Sequence, residues 1–423
     1  MATNERSSAE ETAEETGVLI AGAGIGGLTA ALALHAEGVR VTVIERVRRI
    51  TPLGVGISLQ PHAVRELTRL DLGDTLAATG VPTAEQVYAD ERGGRRLAEA
   101  VGVAAGYRWP QYAIHRGELQ LLLLDAVRQR LGPDAVRTGT SLESFAEERD
   151  AVRVRVTDRA TGTPALVEAG ALVGADGARS RVRAALHPDE GPMCWSGVRM
   201  WRGVTEMAPF LTGRTSVIAS GERNVQLVVY PISARRPLLN WVCAAPEAEP
   251  GALVETAGWN REGSAADVLR HLEGWDFAPL GLDIHALITG SQAVFEYPMV
   301  DRDPLPRWGQ GRTTLLGDAA HPLYPTGANG ASQAIVDARA LATELAAAGG
   351  AVAGGGVASG GDVAGALARY EAARVGPTGD VLRANREMDR SMRGRVGGDP
   401  VAAITERYRR TTGGDVTTVN AKA

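Results

Sequence analysis

Four successive apolar residues, Val18-Leu19-Ile20-Ala21, read as a strand buried on both faces. Glycines follow at 22, 24, 26 and 27, then an Ala/Leu-rich helix, then the apolar strand Val41-Thr42-Val43-Ile44, which ends in Glu45. A glycine-punctuated loop over 53–58 leads to a helix that Pro61 can start, continuing through Leu67 and Leu70. Residues 86–89 and 95–98 flank Glu91-Arg92-Gly93-Gly94 as a hairpin. Leu119, Leu122, Leu123, Ala126 and Val127 recur at helical spacing and predict an amphipathic helix over 117–130. Residues 152–156 alternate valine with arginine, the mark of a half-buried strand, and 171–174 form another strand.

The pattern changes between Cys194 and Met299. Trp195, Trp201, Tyr230, Trp241, Trp259, Trp275, Phe277, Phe295 and Tyr297 all fall there, and strands are predicted at 215–219, 226–230, 238–243 and 292–297. A sheet rich in aromatic residues makes either an ordinary β core or a wall for a flat apolar ligand. Strand–loop–helix character returns with a strand at 314–316 and a helix over 330–345. Residues 346–361 are Ala/Gly low complexity and read as a linker. Closing helices are expected at 363–374 and 378–392, with residues 1–16 and 411–423 as tails.

Composition narrows the function. The chain is 44% hydrophobic and 22% charged, ordinary for a globular protein. Its net charge of −5 is mostly the first sixteen residues, with five Glu and one Arg, so a nearly neutral body remains. A nucleic-acid partner is not expected. Neither a membrane span nor a secretory signal is found, and cytoplasmic residence is expected. Cys194 and Cys243 lack metal-ligand spacing and read as thiols in a reducing compartment.

The chemistry enters with the first strand. Gly22, Gly24 and Gly27 form G-x-G-x-x-G between strand and helix, with Glu45 ending the next strand about twenty residues on. That unit binds the ADP half of a dinucleotide. Gly22 permits the tight turn, Gly24 lets backbone approach the pyrophosphate, and Gly27 lets helix and strand pack closely. The helix N-terminus presents free N–H groups and a partial positive charge. Glu45 can accept from both ribose hydroxyls and would repel a 2′-phosphate, favouring FAD or NAD over NADP.

Two later segments complete the pattern. Ala171–Arg183 places Asp176-Gly177 after a strand and before a basic helical start. Thr314–Pro322 places Gly317-Asp318 at a strand end, followed by Pro325-Thr326-Gly327-Ala328-Asn329-Gly330 feeding a helix. The three motifs, in this order, resemble the single-component FAD-dependent aromatic hydroxylases of the para-hydroxybenzoate hydroxylase-like family. Segments 52–57, 112–120, 200–206 and 297–304 look like a subgroup acting on phenazine carboxylates. Leu323-Tyr324-Pro325-Thr326 departs from the methionine-bearing version expected there.

That resemblance implies an α/β fold: a Rossmann-like FAD-binding domain interleaved with a mixed β-sheet substrate domain and C-terminal helices. The FAD-binding parts would be 17–80, 107–190 and 305–345, the substrate domain an 81–106 hairpin plus β-rich 191–304, and the C-terminal helices 362–410. FAD would be the cofactor and NAD(P)H and O2 co-substrates, hydroxylating a small aromatic through a flavin C4a-hydroperoxide, with decarboxylation where the ring carries a carboxylate. Implied FAD contacts are Gly22, Gly24, Gly26, Gly27, Glu45, Arg46, Val55, Gly56, Arg116, Gln120, Asp176, Asp318, Pro325, Gly327, Ala328, Asn329 and Gly330. Asp318 would meet the ribityl hydroxyls and the helix start at 329–330 the N1/C2=O edge of the flavin, a helix N-terminus that favours its anionic reduced form. Trp201, Tyr230, Tyr297 and Tyr324 are candidates for an aromatic substrate cage, and Arg202 for a carboxylate partner. His321 reads as a structural hydrogen bonder. No acid–base residue and no metal site is named. Oxygenation of a polyketide-type substrate and a non-catalytic FAD-binding sensor are the alternatives.

Overall fold

A computed structural model describes residues 14–52, 54–253, 261–348 and 361–392. Strand Glu14–Ala21 lies at the centre of a seven-stranded sheet in the described residues. It pairs in parallel with Val41–Glu45 on one side and Pro164–Gly174 on the other. Val136–Thr138 extends the sheet beyond Val41–Glu45, and Thr313–Leu315 joins Pro164–Gly174, both in parallel. The antiparallel strands Val152–Asp158 and Thr140–Glu147 complete it. Residues 14–16, expected to be tail, are the first residues of the central strand, where Thr16 is buried and hydrogen-bonded to Thr42. The alternation read over 152–156 is real: its valines are buried and its arginines exposed.

Helix Ile25–Ala36 and the long helix Gly330–Ala347 pack together over this sheet, with Leu28, Leu32, Ile335 and Leu341 in one large core. Gly26 explains how close they come, since a Cβ there would lie 2.7 Å from Leu316 and 3.2 Å from Ala334. The two closing helices expected on either side of Pro377 are instead one helix, Val363–Met392. The Thr378 hydroxyl donates to the Arg374 carbonyl at 2.8 Å within this stretch. Tyr370 and Leu367 before the proline and Leu382 after it are all buried. That packing on both sides outweighs the local cost of about 3 kcal/mol for an internal proline.

A second, mixed sheet, of nine strands among the described residues, holds Trp195, Trp201, Tyr230, Trp241, Phe295 and Tyr297, while Trp275 and Phe277 pack beside it and Trp259 lies outside the described residues. Its order is Arg261–Glu262, Ser291–Asp301, Cys194–Glu206, Leu238–Pro246, Gln226–Pro231, Thr215–Ser220, Glu85–Asp90 and Arg95–Ala100, with Gly251–Ala252 beside Cys194–Glu206. The hairpin thus joins this sheet, through the parallel pair Glu85–Asp90 and Thr215–Ser220. Val81–Thr83 does not: it pairs with Gln111–His115, which also pairs with Gly56–Leu59, in a small three-stranded sheet. One face of the large sheet is covered by helices Ala265–His271 and Ile284–Thr289, which bury Val268, Leu272, Leu287 and Ile288 against Trp201, Trp241 and Cys243. The other face turns toward the first domain. No described helix is long and apolar enough to cross a membrane. The 346–361 linker reading falls almost wholly outside the described residues, as do the 362–410 helical reading beyond 392 and the 411–423 tail.

Candidate active site

The glycine loop is built as its sequence requires. Gly22 has φ +113°, and a Cβ on it would lie 2.4 Å from the Ala175 carbonyl. A Cβ on Gly27 would lie 2.0 Å from the Gly22 carbonyl. Gly24 has nothing within 4 Å of where a Cβ would be, so the helix start is open to a close-approaching ligand. Glu45 braces the loop with one carboxylate oxygen, accepting from Ala23 N–H at 2.9 Å, and accepts Val47 N–H at 2.9 Å with the other. Gln120 donates to the Ala23 carbonyl at 2.7 Å. Sequence separation had hidden this contact, made from the helix Arg116–Leu131. Arg116 itself is exposed beside Gly54, and its backbone N–H donates to Val55 at 3.0 Å. Arg46 is exposed next to Glu45.

Asp176 lies against Gly22, but both its carboxylate oxygens serve the short helix Arg181–Leu186. Ser180 Oγ donates to one, and the backbone N–H groups of Arg181 (2.7 Å) and Val182 (3.4 Å) donate to the other. Burial raises its pKa, while these hydrogen bonds oppose the rise. Asp318 is different. It is exposed, accepts no hydrogen bond from the described residues, and stands 3.8 Å from where a Gly330 Cβ would be.

Behind Asp318 is a buried ionic cluster that the linear sequence does not signal. Asp337 is fully buried and accepts from Arg374 Nε at 2.7 Å and from the Gly317 backbone N–H at 3.1 Å, and its Oδ2 lies 2.6 Å from His321 Nε2. Arg374 also donates to Gln333 at 2.6 Å. Burial opposes the charge on Asp337, yet His321 and Arg374 hold its carboxyl below the usual range. Arg183, also buried, donates to the Ala319 and Ala320 carbonyls and pairs with Glu190 through two contacts of 2.6 and 2.7 Å. Gly317-Asp318 is therefore held from both sides. One signal was present in the sequence: Asp337 occupies the apolar stripe of its helix, between Ala334 and Leu341, and Arg374 lies one turn after buried Tyr370.

Loop 325–329 is fixed by the terminal helix. Asn385 donates to the Tyr324 carbonyl at 3.1 Å, and its Oδ1 lies 2.5 Å from where a Gly327 Cβ would be. Ala328 takes φ +49°, and Asn329 caps the helix Gly330–Ala347 with its buried Oδ1 unpaired. Pro325 is exposed at the start of this turn. The first N–H groups of that helix and the open N-terminus at Gly24 fit a long anionic cofactor, and free Asp318 fits a polyhydroxyl chain.

The opposing wall is the large sheet, and its register sorts the proposed substrate residues. Phe295, Arg202, Val242 and Val228 form a row across four strands, flanked by Tyr297-Met200-Ala244 and Val204-Asn240-Tyr230. Met200, Tyr297 and Tyr324 cluster with Met299 and Val198. Trp201 is on the other face. Strand alternation buries it, 3% exposed, with its ring 4.9 Å from His271 in the core behind the sheet. It is not part of a cage on the cleft side. Tyr230 is buried, and both its hydroxyl (3.0 Å) and Arg202 Nη2 (2.8 Å) donate to the Gly56 carbonyl. Asn240 accepts the Gly56 N–H at 2.6 Å. The segment read as loop, 53–58, thus enters a strand at Gly56 that the sheet grips directly. Among the described residues there is no group of metal-ligating side chains.

Fold and glycine loop together define a dinucleotide-binding protein with a second sheet set between parts of its nucleotide domain. A family model described as an FAD binding domain matches residues 15–247 and 293–357. Phenazine 1,6-dicarboxylic acid hydroxylase of Lysobacter antibioticus is 49% identical over 94% of this chain and 97% of its own length. A 3-hydroxybenzoate 6-hydroxylase of Aquipseudomonas alcaligenes is 34% identical over 78% of this chain and 80% of its own. Among solved structures, Klebsiella pneumoniae HpxO with FAD and uric acid superimposes with a TM-score of 0.73 and 25% identity, covering 94% of this chain and 92% of that one. The chain belongs to the single-component FAD-dependent aromatic hydroxylase family. It is an FAD-dependent monooxygenase, with NAD(P)H as reductant and O2 as oxidant.

Proposed function

We propose that this enzyme acts on a planar fused heteroaromatic carboxylate of the phenazine class, replacing the carboxylate with hydroxyl. The observation that carries the reading is the cleft wall: Met200, Val228, Val242, Ala244, Phe295 and Tyr297 surround one half-buried guanidinium, Arg202, whose Nε is buried without an acceptor. A flat apolar ring fits such a wall, and a carboxylate supplies the missing acceptor. The name of the 49%-identical relative supports the same substrate class.

The roles proposed for the chain follow from its geometry. Gly22, Gly24, Gly26 and Gly27 seat the pyrophosphate, and Glu45, with Arg46 beside it, meets the adenosine ribose. Asp318 takes ribityl hydroxyls. Pro325, Gly327, Ala328, Asn329 and Gly330 present backbone to the flavin edge, and Val55, Gly56 and Arg116 border its other side. Gln120 and Asp176 act indirectly, as braces of the glycine loop and of the adjoining helix. Tyr297 and Tyr324 flank the substrate ring, and burial keeps both phenols protonated well above neutral pH. Held by these residues and reduced by NAD(P)H, FAD would supply the activation of O2, one oxygen atom going to the ring and the other leaving as water. At the substrate the ring–carboxyl C–C bond breaks and a C–O bond forms. One carboxylate, O2, NADH and two protons become hydroxylated ring, CO2, NAD⁺ and water.

Incubating holoenzyme with NADH and phenazine-1-carboxylate tests this, with NADH consumption and product mass as readouts. Accelerated oxidation and a product lighter by the exchange of carboxyl for hydroxyl are expected. A hydroxylated product that keeps the carboxylate would overturn the decarboxylative reading. Absence of any acceleration by this acid would overturn the substrate class.

A further inference from the structure

We propose that Arg202, Tyr230 and Asn240 form a latch on the Gly56 peptide, through which carboxylate binding at the sheet and FAD binding at the glycine loop strengthen each other. The inference rests on reading Arg202 as the carboxylate anchor. Residues far apart in sequence converge on the backbone of one residue: Asn240 accepts the Gly56 N–H, and Arg202 and Tyr230 both donate to the Gly56 carbonyl. The contact is tight, since a Cβ on Gly56 would lie 2.5 Å from Ile232 and 2.7 Å from Asn240 Cβ.

From Gly56 a path of strand pairing, backbone hydrogen bonds and helix reaches the cofactor loop, and the Val55 carbonyl, in the same peptide as the Gly56 N–H, carries its first bond. Gly56 pairs with His115 in the small sheet, Arg116 N–H donates to Val55, and one turn further along the same helix Gln120 holds the Ala23 carbonyl. Arg202 is the point where the two sites meet. Its Nη2 is engaged with Gly56 while its buried Nε lacks an acceptor, a cost that falls on the latched arrangement. A carboxylate at Nε removes that cost and leaves an Nη2 hydrogen for Gly56, so the latched arrangement is favoured. Linkage then requires FAD to raise carboxylate affinity by the same factor. Arg202, Tyr230 and Asn240 are positioning residues for the cofactor.

The test titrates apo-protein with FAD, read by flavin fluorescence, alone and with saturating phenazine-1-carboxylate or unsubstituted phenazine. The carboxylate is expected to tighten FAD binding roughly fivefold or more, the lower range of allosteric couplings, and phenazine is not. Tyr230→Phe keeps the ring and removes one donor to Gly56. It should weaken the coupling while leaving the apo-protein's carboxylate affinity close to wild type, a pattern that simple loss of packing would not give. Arg202→Lys should lose both affinity and coupling. If the carboxylate binds through Arg202 but FAD affinity does not respond, the latch is overturned and the substrate reading stands. If Arg202→Lys binds the carboxylate as well as wild type, the anchor reading falls and the latch falls with it.

Discussion

Asp337→Asn removes the negative charge at the centre of the cluster behind Asp318 while keeping the side chain's shape. In the native protein the carboxylate serves Arg374, His321 and the Gly317 N–H at 2.7, 2.6 and 3.1 Å. An amide has one acceptor oxygen, and its NH2 would face one of those donors, so at least one contact becomes donor against donor. Removing one partner of a buried ion pair costs about 3–5 kcal/mol, a large share of a stability of about 5–15 kcal/mol. The melting temperature should fall by roughly 3–6 °C for a chain of this size. FAD should also bind more weakly, because Gly317 N–H positions the turn that carries Asp318. The pH dependence supplies an internal control. The folded-state pKa of Asp337 lies below its unfolded value, so its stabilisation is full above about pH 4 and is lost as pH falls through the depressed folded value. The wild-type and variant melting temperatures should therefore converge in acid. Melts followed by circular dichroism and by flavin release, at neutral and acid pH, measure all three. A variant melting within 2 °C of wild type at neutral pH, with unchanged FAD affinity, would refute the role assigned to the cluster.

Gly27→Ala would set a methyl 2.0 Å from the Gly22 carbonyl, and the purified protein should carry little flavin by absorbance. Glu45→Ala leaves the Ala23 and Val47 N–H groups without their charged acceptor, each worth about 1.5–3 kcal/mol, and FAD affinity should fall at least roughly tenfold in a fluorescence titration. Gly56→Ala forces Ile232 and Asn240 apart and should cost about 1–3 kcal/mol in urea unfolding. His62 is buried without hydrogen-bond partners among the described residues, and burial above all, with Arg374 and Arg65 adding to it, lowers its pKa to about 4. The unfolded chain therefore binds the extra proton between about pH 6.5 and 4, and wild type should lose roughly 2–4 kcal/mol of stability over that interval. His62→Leu should flatten this slope in urea melts at pH 5 and 7.5. A slope equal to wild type would exclude His62 as its source.

What was readable in the sequence was local. The glycine loop, the acid closing the second strand and the 152–156 alternation each depend on neighbours within a few dozen residues, and each stands where expected. Trp201 illustrates the limit. An aromatic residue on a strand is equally consistent with either face, and only the register against Cys243 and Glu296 shows that it points away from the cleft. Arg202, its neighbour, then necessarily points toward it. Strand Cys194–Glu206, the longest of the large sheet, gave no clean period-two pattern because residues on both of its faces are packed. The Asp337–Arg374 and Arg202–Gly56 contacts join residues 37 and 146 apart in sequence, which no periodicity can foresee. The split expected between 374 and 378 is absent because tertiary packing on both sides of Pro377 decides there, which no local pattern shows.

The two-faced sheet has a consequence for how such an enzyme changes over time. Odd positions of Cys194–Glu206 such as Trp201 and Gly203 face the helices behind the sheet, while even positions such as Met200, Arg202 and Val204 face the opposite way, toward Tyr324, Gly56 and Tyr230. On the proposed substrate assignment, editing the even positions would exchange one aromatic substrate for another while the odd positions keep the helices in place. Each edit has its own cost, because Met200 is packed with Tyr324 and Arg202 holds Gly56.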